Sequence, residues 1–425
     1  MKLNFYSLGV ALILCFFCLS FGVWHESGPL YAQNNTTLYL PLVIRAAPAA
    51  VSSDTVEASL VFQAAGVQPN YDQLMTTELA WIAAGQFNAP ALAVDGAIPE
   101  HRETTMPSHV SPYVANYAAT ALLEQPKLYA PQVRRYLDWY FRHLNWPDYQ
   151  PSTPPCGKLY GSVYDYLVEP NGVEHPLMQG GHPFYDSTDA YAATFLLLLK
   201  KYYEKTGDKT YLLTHNYQVR VIAGVMICTQ RPDGLTWATP DYRVKYLMDN
   251  AEVFGGFQAL VWLAQNVFQD QSLATYYTNA ANAVKNGLET KLWNASANNY
   301  RFAVDESGAT PAPQPANWKI FTPDATAQLF PLFMGVLAPS NARAVALYRQ
   351  FNLSHPQWPA LTDPGQDFPY AMLAYQAALM GDKARVNQFL DNVKRKYSDV
   401  DHPWPWHSGE AGFVVLAAQK AKTIP

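Results

Sequence analysis

Apolar residues recur at intervals of three and four positions from about residue 70 to the C-terminus. That spacing places them on one side of an α-helix, and no long alternating pattern indicates β-strands instead. The pattern predicts about twelve helices, arranged as six consecutive pairs, near residues 72–87, 108–124, 129–145, 186–205, 208–228, 248–266, 269–291, 322–337, 340–352, 367–381, 383–398 and 408–422.

The predicted helices are of two kinds. One kind is rich in small and apolar residues nearly all round, as from Ala190 to Leu199, which argues for burial. The other is amphipathic and charged, as from Lys383 to Phe389. Because the two kinds alternate, we expect an all-α fold, an (α/α)6 barrel of six helical hairpins with inner and outer helix rings. An open superhelix of helix pairs is the competing layout, but the absence of a short fixed repeat and of polar caps disfavours it.

Parallel inner helices would bring their N-termini together at one mouth of such a barrel. The loops that lead into these helices are long, aromatic and rich in Gly and Pro, at residues 88–107, 146–185, 229–247, 292–321, 353–366 and 399–407. The connections at the opposite end are tight turns, such as the one at residues 206–208. Long loops gathered on one face of a rigid scaffold commonly carry the functional site, so we expect it at this mouth.

The first 59 residues do not fit the helical pattern. Lys2 precedes an apolar run from Leu8 to Val23 that is short for a membrane span, and small and polar residues follow near Ala32. This arrangement predicts a signal peptide over residues 1–32, with an uncleaved anchor as the alternative. Residues 33–59 are interpreted as an exported segment and linker, and residues 60–425 as the barrel domain. We therefore predict a secreted or cell-surface protein with no stable membrane insertion after signal cleavage.

Charge and composition narrow the choice of partners. The formal net charge is −5 and no run of more than three Lys or Arg residues occurs, which argues against nucleic acid. Aromatic residues make up 14% of the chain, which fits stacking against neutral, hydroxyl-rich ligands such as carbohydrate and equally fits a large helical core. Outside the signal segment the cysteines are Cys156 and Cys228, which are compatible with one disulfide or with two separate thiols.

Paired acidic residues stand at the starts of two predicted inner helices, Asp186 with Asp189 and Asp249 with Glu252. Acids three positions apart share a helix face, so two such faces on neighbouring helices would place carboxyl groups across one pocket. Cleavage of a glycosidic bond uses this arrangement, since one carboxylic acid protonates the leaving oxygen and the other activates water or attacks. We expect Asp189 and Glu252 to form the acid/base pair because they sit deeper in their helices, with Asp186 and Asp249 in support.

The same acids also have a purely structural interpretation. Aspartate is a favoured helix N-cap, and an acid three residues later completes a capping box. Asp324, Asp367 and Glu410 occupy equivalent positions at other inner-helix starts. For these three residues capping is the default interpretation, and substrate binding is the alternative.

Side chains of the long loops supply further candidates for binding a sugar. Aromatic rings can cover the apolar face of a sugar while nearby polar groups bind its hydroxyls, or they can merely plug the end of the barrel. No metal-ligand spacing, glycine-rich nucleotide loop or serine nucleophile motif appears, so we predict neither a metal nor a cofactor. The predicted substrate-binding residues, besides the three acids above, are Tyr160, Tyr164, His182, Tyr185, Trp237, Trp404, Trp406 and His407.

These features together resemble the six-hairpin glycosidase-like superfamily over roughly residues 70–422. The resemblance implies a glycoside hydrolase, most often inverting, with acidic catalysts at the wide mouth. Residues 248–250 are similar to a motif of unsaturated glucuronyl hydrolases, in which an Asp is the acid/base, but the rest of that family's pattern does not match. The segments that carry the resemblance are residues 96–98 ahead of 112–118, then 186–195, 247–252 and 406–413.

The sequence therefore predicts a secreted glycoside hydrolase-like protein that acts on oligo- or polysaccharide through carboxylate acid/base catalysis. One alternative is a different carbohydrate-active toroid, because superfamily members include epimerases that use His, and related lyases use Tyr, His or Arg. His182, His407 and Tyr164 would then be the candidate catalysts. The other alternative is a non-catalytic glycan-binding protein, since a fold does not determine a function.

Overall fold

A computed structural model describes residues 69–145, 160–309 and 316–425. The predicted signal peptide, the linker and Cys156 lie outside the described residues. Cys228 is disulfide-bonded. No helix in the described part of the chain is both long and apolar enough to cross a membrane.

Helices dominate the described chain, which confirms the all-α prediction. Single π-helical turns follow α7 and α8, at Ala264–Phe268 and Leu288–Leu292, and a third, Phe321–Ala325, precedes α9. The α-helices in chain order are α1 Tyr71–Gly85, α2 Pro112–Leu122, α3 Pro126–Arg142, α4 Thr188–Thr206, α5 Lys209–Thr214, α6 Asn216–Thr229, α7 Leu247–Leu263, α8 Gln271–Gly287, α9 Phe330–Phe333, α10 Ala342–Ser354, α11 Met372–Leu379, α12 Lys383–Lys396 and α13 Ser408–Ala421.

Six of these helices form a closed inner ring. Each packs on the next in the order α2, α4, α7, α9, α11 and α13, and α13 returns to α2. These helices are apolar around most of their circumference, and in α13 every residue from Ser408 to Ala418 is buried. Helices α1, α3, α6, α8 and α12 pack outside the ring. The prediction of an (α/α)6 barrel with inner and outer helices is confirmed.

The outer helices bury one narrow stripe each. In α12 the buried residues are Val386, Phe389, Leu390 and Val393, which follow three- and four-residue spacing along one face. Asp382 begins this helix as its N-cap, because its side chain accepts a hydrogen bond from a backbone N–H of the first turn. An outer helix therefore needs only a single apolar stripe, whereas an inner helix is covered on all sides.

The structure corrects the predicted bounds of four helices. Residues 108–110 form a strand, and α2 begins at Pro112, whose restricted φ suits a first helical turn. His215 interrupts the helix predicted over 208–228 and leaves α5 and α6. Prolines at 323 and 331 lack the N–H that a helix interior uses, so residues 322–337 contain only a π turn and the short α9. Tyr370 has a φ of 54°, and α11 begins two residues later.

Short antiparallel strands order the long loops. The largest sheet joins β1 Ser108–Val110, β2 Tyr166–Val168 and β3 Glu174–Pro176, with His109 opposite Leu167 and Leu167 opposite His175. The loops ahead of α2 and α4 are thereby tied to each other. The remaining pairs are β4 Met178–Gln179 with β5 His182–Pro183, β6 Lys245–Tyr246 with β9 Ala303–Val304, and β7 Trp293–Asn294 with β8 Asn299–Tyr300.

Gly256 marks a close approach of the inner helices α4 and α7. A Cβ added there would lie 2.7 Å from Ala193 Cα and 2.9 Å from its Cβ. A Cβ added at Gly255 would have side-chain atoms of Met334 and Leu197 as its nearest neighbours, at 3.3 and 3.5 Å. We expect Gly256→Ala to lower the free energy of unfolding by about 2 kcal/mol, because the two helices must separate. Gly255→Ala is the matched control, and its better helix propensity raises stability by up to about 1 kcal/mol. Denaturant unfolding of both variants checks this, and equal effects would contradict it.

Candidate active site

The inner helices meet by their N-terminal ends at one mouth of the barrel. Tyr113 at the start of α2 donates a hydrogen bond to Glu252 of α7, and Asp189 of α4 interacts electrostatically with Asp249 of α7. On another part of the ring, Glu410 of α13 accepts hydrogen bonds from the two backbone N–H groups just ahead of α11. The acids that the sequence assigns to inner-helix starts are therefore gathered at this mouth.

Asp189 and Asp249 are joined through a single hydroxyl group. Ser187 Oγ lies 2.8 Å from Asp189 Oδ1 and 2.8 Å from Asp249 Oδ2. Asp189 is fully buried and also accepts hydrogen bonds from the Ala190 N–H at 2.9 Å and from the Thr236 hydroxyl at 2.5 Å. Every oxygen of this carboxyl group is therefore engaged with protein.

Glu252 lies about one turn further into α7 than Asp249. The hydroxyls of Tyr113 and Tyr117 both donate to its Oε1, at 2.7 and 2.8 Å. These tyrosines stand four residues apart on one face of α2, which brings both hydroxyls to the same point. Asp189 and Glu252 are 0% and 1% exposed, whereas Asp249 is 7% exposed. We call Asp189, Asp249 and Glu252 the carboxyl cluster, and Asp249 is its most accessible member.

Burial and mutual repulsion favour the protonated forms of the carboxyl cluster. Burial, reinforced by the charge of Asp249, raises the pKa of both Asp189 and Glu252 well above the ordinary range. Burial raises the pKa of Asp249 to about 7, where the Ser187 hydrogen bond opposes the shift and the charge of Asp186 adds to it. A carboxyl group with a pKa near 7 is partly protonated at neutral pH and can still release its proton, which general acid catalysis requires.

Helix capping does not account for the paired acids. Ser187 is the N-cap residue of α4, and Asp189 lies inside the first turn. Tyr246 is the N-cap residue of α7, and Asp249 again lies inside the helix. Asp186, which precedes the N-cap of α4, is half-buried. Neither pair therefore supplies the N-cap residue of its helix, although Asp189 accepts the Ala190 N–H of the first turn.

Two of the acids at other inner-helix starts, Asp324 and Glu410, hold backbone segments in place. Asp324 is buried and accepts a hydrogen bond from the Asn317 N–H at 2.6 Å. The two carboxylate oxygens of Glu410 accept from the N–H groups of Tyr370, at 3.0 Å, and Ala371, at 2.5 Å. Asp367 is exposed and accepts from the Tyr370 hydroxyl at 3.0 Å.

Accessible aromatic rings lie in the mouth loops. Trp404 is 54% exposed and meets Phe368 edge-on. Tyr164 and Tyr185 stack on each other with ring centroids 5.9 Å apart, and both are partly exposed. These rings can offer a face to a sugar. Of the other predicted binding residues, His182 is exposed, and Tyr160 and His407 are half-buried, with His407 Nε2 at 3.8 Å from the Glu410 carboxylate.

Two predicted sugar platforms are instead covered by protein. Trp406 is fully buried and stacks on Tyr397. Trp237 is 8% exposed, and the guanidinium groups of Arg231 and Arg243 lie over its ring, at 4.1 and 4.9 Å from the centroid. This burial corrects the expectation that both rings contact a ligand, because neither ring is open to solvent.

A second buried charge cluster joins the loops ahead of α2 and α4. His109 Nδ1 lies 3.2 Å from Glu100 and Nε2 lies 3.1 Å from Asp165, which also accepts a hydrogen bond from the Tyr191 hydroxyl at 2.8 Å. Although burial opposes a charged ring, these two carboxylates raise the pKa of His109 to about 10. His109 is therefore a structural cation at neutral pH.

Sequence reasoning missed the residues that support the carboxyl cluster. Their only signals were a serine two positions before Asp189 and two tyrosines four positions apart at the start of α2. Across the described residues, no group of three or more His, Cys, Asp or Glu side chains could hold a metal ion. The missed residues are Tyr113, Tyr117, Ser187, Thr236 and Asn250.

Solved structures match the fold of this chain, although neither a protein-family model nor a curated protein matches its sequence. A glycosidase in complex with glucose matches with a TM-score of 0.56 and 12% sequence identity. The match covers 84% of this chain and 98% of the glycosidase chain. The GH63 mannosylglycerate hydrolase from Thermus thermophilus has a TM-score of 0.54 and 13% identity, covering 81% and 99%. The GH76 α-mannanase from Bacteroides thetaiotaomicron has a TM-score of 0.52 and 13% identity, covering 84% and 97%. The chain thus has the six-hairpin glycosidase-like fold.

Proposed function

We propose that this protein is a glycoside hydrolase that cleaves oligo- or polysaccharide by carboxylate acid/base catalysis. The observation that carries the proposal is the carboxyl cluster at the barrel mouth, in which Asp249, at 7% exposure, is the least buried member and has a pKa of about 7. Such a group holds a proton at neutral pH and can deliver it to the oxygen of a leaving group.

Accessibility supports Asp249 as the proton donor. Asp189 and Glu252 are 0% and 1% exposed. Ser187 and Thr236 engage the two carboxyl oxygens of Asp189, and Tyr113 engages Oε1 of Glu252. We therefore assign the general acid to Asp249 and give Asp189 and Glu252 supporting roles, which reverses the sequence-based expectation. The deeper positions that favoured Asp189 and Glu252 are the positions that a substrate reaches least.

We assign the general base to Glu410 on the opposite side of the mouth. In the inner ring α13 is the third helix from α7 in either direction, so Glu410 and Asp249 belong to opposite walls. The N–H groups ahead of α11 fix the Glu410 carboxylate. In an inverting glycosidase the acid and the base lie on opposite sides of the sugar ring, and a water molecule lies between the base and the anomeric carbon.

The substrate we propose is a glycan of neutral hexoses. Two structures of similar fold, a glycosidase and a mannosylglycerate hydrolase, are complexes with glucose, and a third is a mannanase. Trp404 and the stacked pair of Tyr164 and Tyr185 supply exposed rings for the apolar faces of such sugars. The N-terminal segment supports export, so the substrate would be extracellular.

Hydrolysis of a defined glycoside panel tests this proposal. The full chain is incubated with alkyl and aryl α- and β-glucosides and mannosides and with oligosaccharides of mannose, and new reducing ends are measured. We expect the wild type to hydrolyse at least one of them and Asp249→Asn/Glu410→Gln to hydrolyse none. A product that absorbs in the near ultraviolet (a lyase), sugar conversion without new reducing ends (an epimerase) or binding without turnover across the panel would each overturn the proposal.

A further inference from the structure

The hydroxyl group of Ser187 makes two short contacts with carboxyl oxygens, 2.8 Å to Asp189 and 2.8 Å to Asp249. A serine hydroxyl carries a single proton, so it can donate to only one of them. The other contact is a hydrogen bond only when that carboxyl group is itself protonated and donates to Ser187 Oγ. The geometry therefore fits a state in which Asp189 or Asp249 holds a proton in addition to the hydroxyl proton.

Thr236 contacts Oδ2 of Asp189, the carboxyl oxygen that Ser187 does not contact. Its hydroxyl lies 2.5 Å from Asp189 Oδ2 and 3.2 Å from the amide oxygen of Asn250. The Asn250 amide nitrogen donates to the backbone carbonyls of Thr236 and Tyr246, so the atom nearer the hydroxyl is an acceptor. The Thr236 hydroxyl carries one proton and donates it to Asp189 Oδ2, at the shorter of the two distances. The additional proton that the two Ser187 contacts require can therefore lie on Asp189 Oδ1 or on Asp249 Oδ2.

Ser187 is placed as a helix cap but is not used as one. A serine at an N-cap normally accepts a hydrogen bond from a backbone N–H of the first turn. The Ser187 side chain makes no such bond, and its hydroxyl instead lies between the two carboxyl groups. Removing the hydroxyl therefore costs α4 no capping interaction, so its role in the carboxyl cluster can be tested separately from folding.

We propose that Ser187 is a proton-transfer bridge that couples Asp249 to Asp189, so that the two carboxyl groups exchange protons during turnover. Its role in catalysis rests on the proposed function, whereas the coupling itself is a property of the free protein. Ser187 is in this sense a positioning and relay residue, because it acts through Asp249 and not on the substrate.

One turnover moves protons between Asp249, Ser187, Asp189, the substrate and water without a net gain or loss. Asp249 gives its proton to the glycosidic oxygen as the bond from that oxygen to the anomeric carbon breaks, and the leaving group departs as an alcohol. The Ser187 hydroxyl proton moves to Asp249 Oδ2 while the Asp189 proton moves to Ser187 Oγ. Water adds to the anomeric carbon and loses one proton to the base, which releases it to solvent, and a solvent proton enters the pair through Asp249.

The transfer moves the negative charge from Asp249 to a residue that accepts hydrogen bonds from two further groups. Asp186 raises the pKa of Asp249, and Asp249 raises the pKa values of Asp189 and Glu252, so these acids interact within one cluster. Asp189 has two further donors, the Thr236 hydroxyl and the Ala190 N–H, that stabilise the charge once it arrives.

Kinetics of Ser187→Ala and Ser187→Thr test the bridge in catalysis. For alkyl glycosides we expect Ser187→Ala to lower kcat about tenfold, a fraction of what general acid catalysis contributes. For dinitrophenyl glycosides, whose leaving group needs no proton, kcat is unchanged. Rates in H2O/D2O mixtures should depend on the deuterium fraction along a curve in both proteins, because acid and base each move a proton, and the curvature should be greater in the wild type, where the protons of Ser187 and Asp189 also move. Ser187→Thr keeps the hydroxyl and restores the wild-type curvature, and equal curvature in wild type and Ser187→Ala would overturn the bridge.

Infrared spectroscopy of the free protein tests the same bridge without a substrate. We expect the wild type to show the carbonyl stretch of protonated carboxyl groups at pH 7, and Asp189→Asn and Asp249→Asn each to weaken it. Ser187→Ala should shift the pH at which this signal disappears, whereas Ser187→Thr should not. An absent signal, or identical titrations in wild type and Ser187→Ala, would refute the coupling. If the titrations behave as expected but no glycoside is hydrolysed, the proposed function fails and the bridge stands.

Discussion

Asp249→Asn is expected to abolish hydrolysis of alkyl glycosides and to spare that of dinitrophenyl glycosides. The amide cannot protonate a leaving group, so kcat on the alkyl substrate should fall by about 10³-fold, within the range that general acid catalysis supplies. The dinitrophenolate leaves without a proton, so its rate should change less than about tenfold. Steady-state kinetics of one enzyme preparation on both substrates measures the ratio, and the activated substrate is the internal control for folding.

The pH dependence of wild-type activity is a second test of Asp249 as the general acid. Because Asp249 acts as an acid with a pKa of about 7, activity on alkyl glycosides should fall as the pH rises through that value. The activated substrate should not show this alkaline decline. If Asp249→Asn keeps its alkyl activity while Asp189→Asn or Glu252→Gln loses it, the acid is one of the buried groups, as the sequence alone suggested.

The wild type is expected to lose stability between pH 4 and pH 8, and Asp249→Asn should recover much of it. The pKa of Asp249 is raised from 3.8 to about 7 on folding. The folded state therefore binds a proton that the unfolded state has released. Stability from this group is complete below the unfolded pKa near 4 and is lost as the pH rises through the folded pKa near 7. A shift of this size corresponds to about 4 kcal/mol, at about 1.4 kcal/mol for each pH unit.

Denaturant unfolding of wild type and Asp249→Asn at several pH values measures this linkage. We expect similar free energies of unfolding near pH 4 and a variant more stable by about 4 kcal/mol at pH 8. His109 also contributes a loss as the pH rises, because its folded pKa is raised to about 10, but this term is common to both proteins and cancels in the difference. A difference that does not change with pH would contradict the burial of an ionisable Asp249. A variant that is more stable but inactive would show the common trade-off between stability and activity at an active site.

The helix pattern could be predicted because it depends on local periodicity. Outer helices such as α12 show a single apolar stripe, and inner helices such as α13 are apolar all round, so both kinds can be recognised from the sequence. The errors arose where backbone geometry overrides periodicity. Tyr370, with its positive φ, and the prolines at 323 and 331 stop helices that the apolar pattern would continue.

By itself, the sequence determined that acids gather at one mouth, since parallel inner helices bring Asp189, Asp249 and Glu252 to the same end of a barrel. Only the tertiary structure decided which of them a substrate can reach and which residues hold them. Tyr113 and Ser187 reach the carboxyl cluster from other elements of the barrel, and their contacts depend on ring order and side-chain direction. Accessibility is a property of the closed ring, because each inner helix is covered by its neighbours, and no spacing along the chain encodes it.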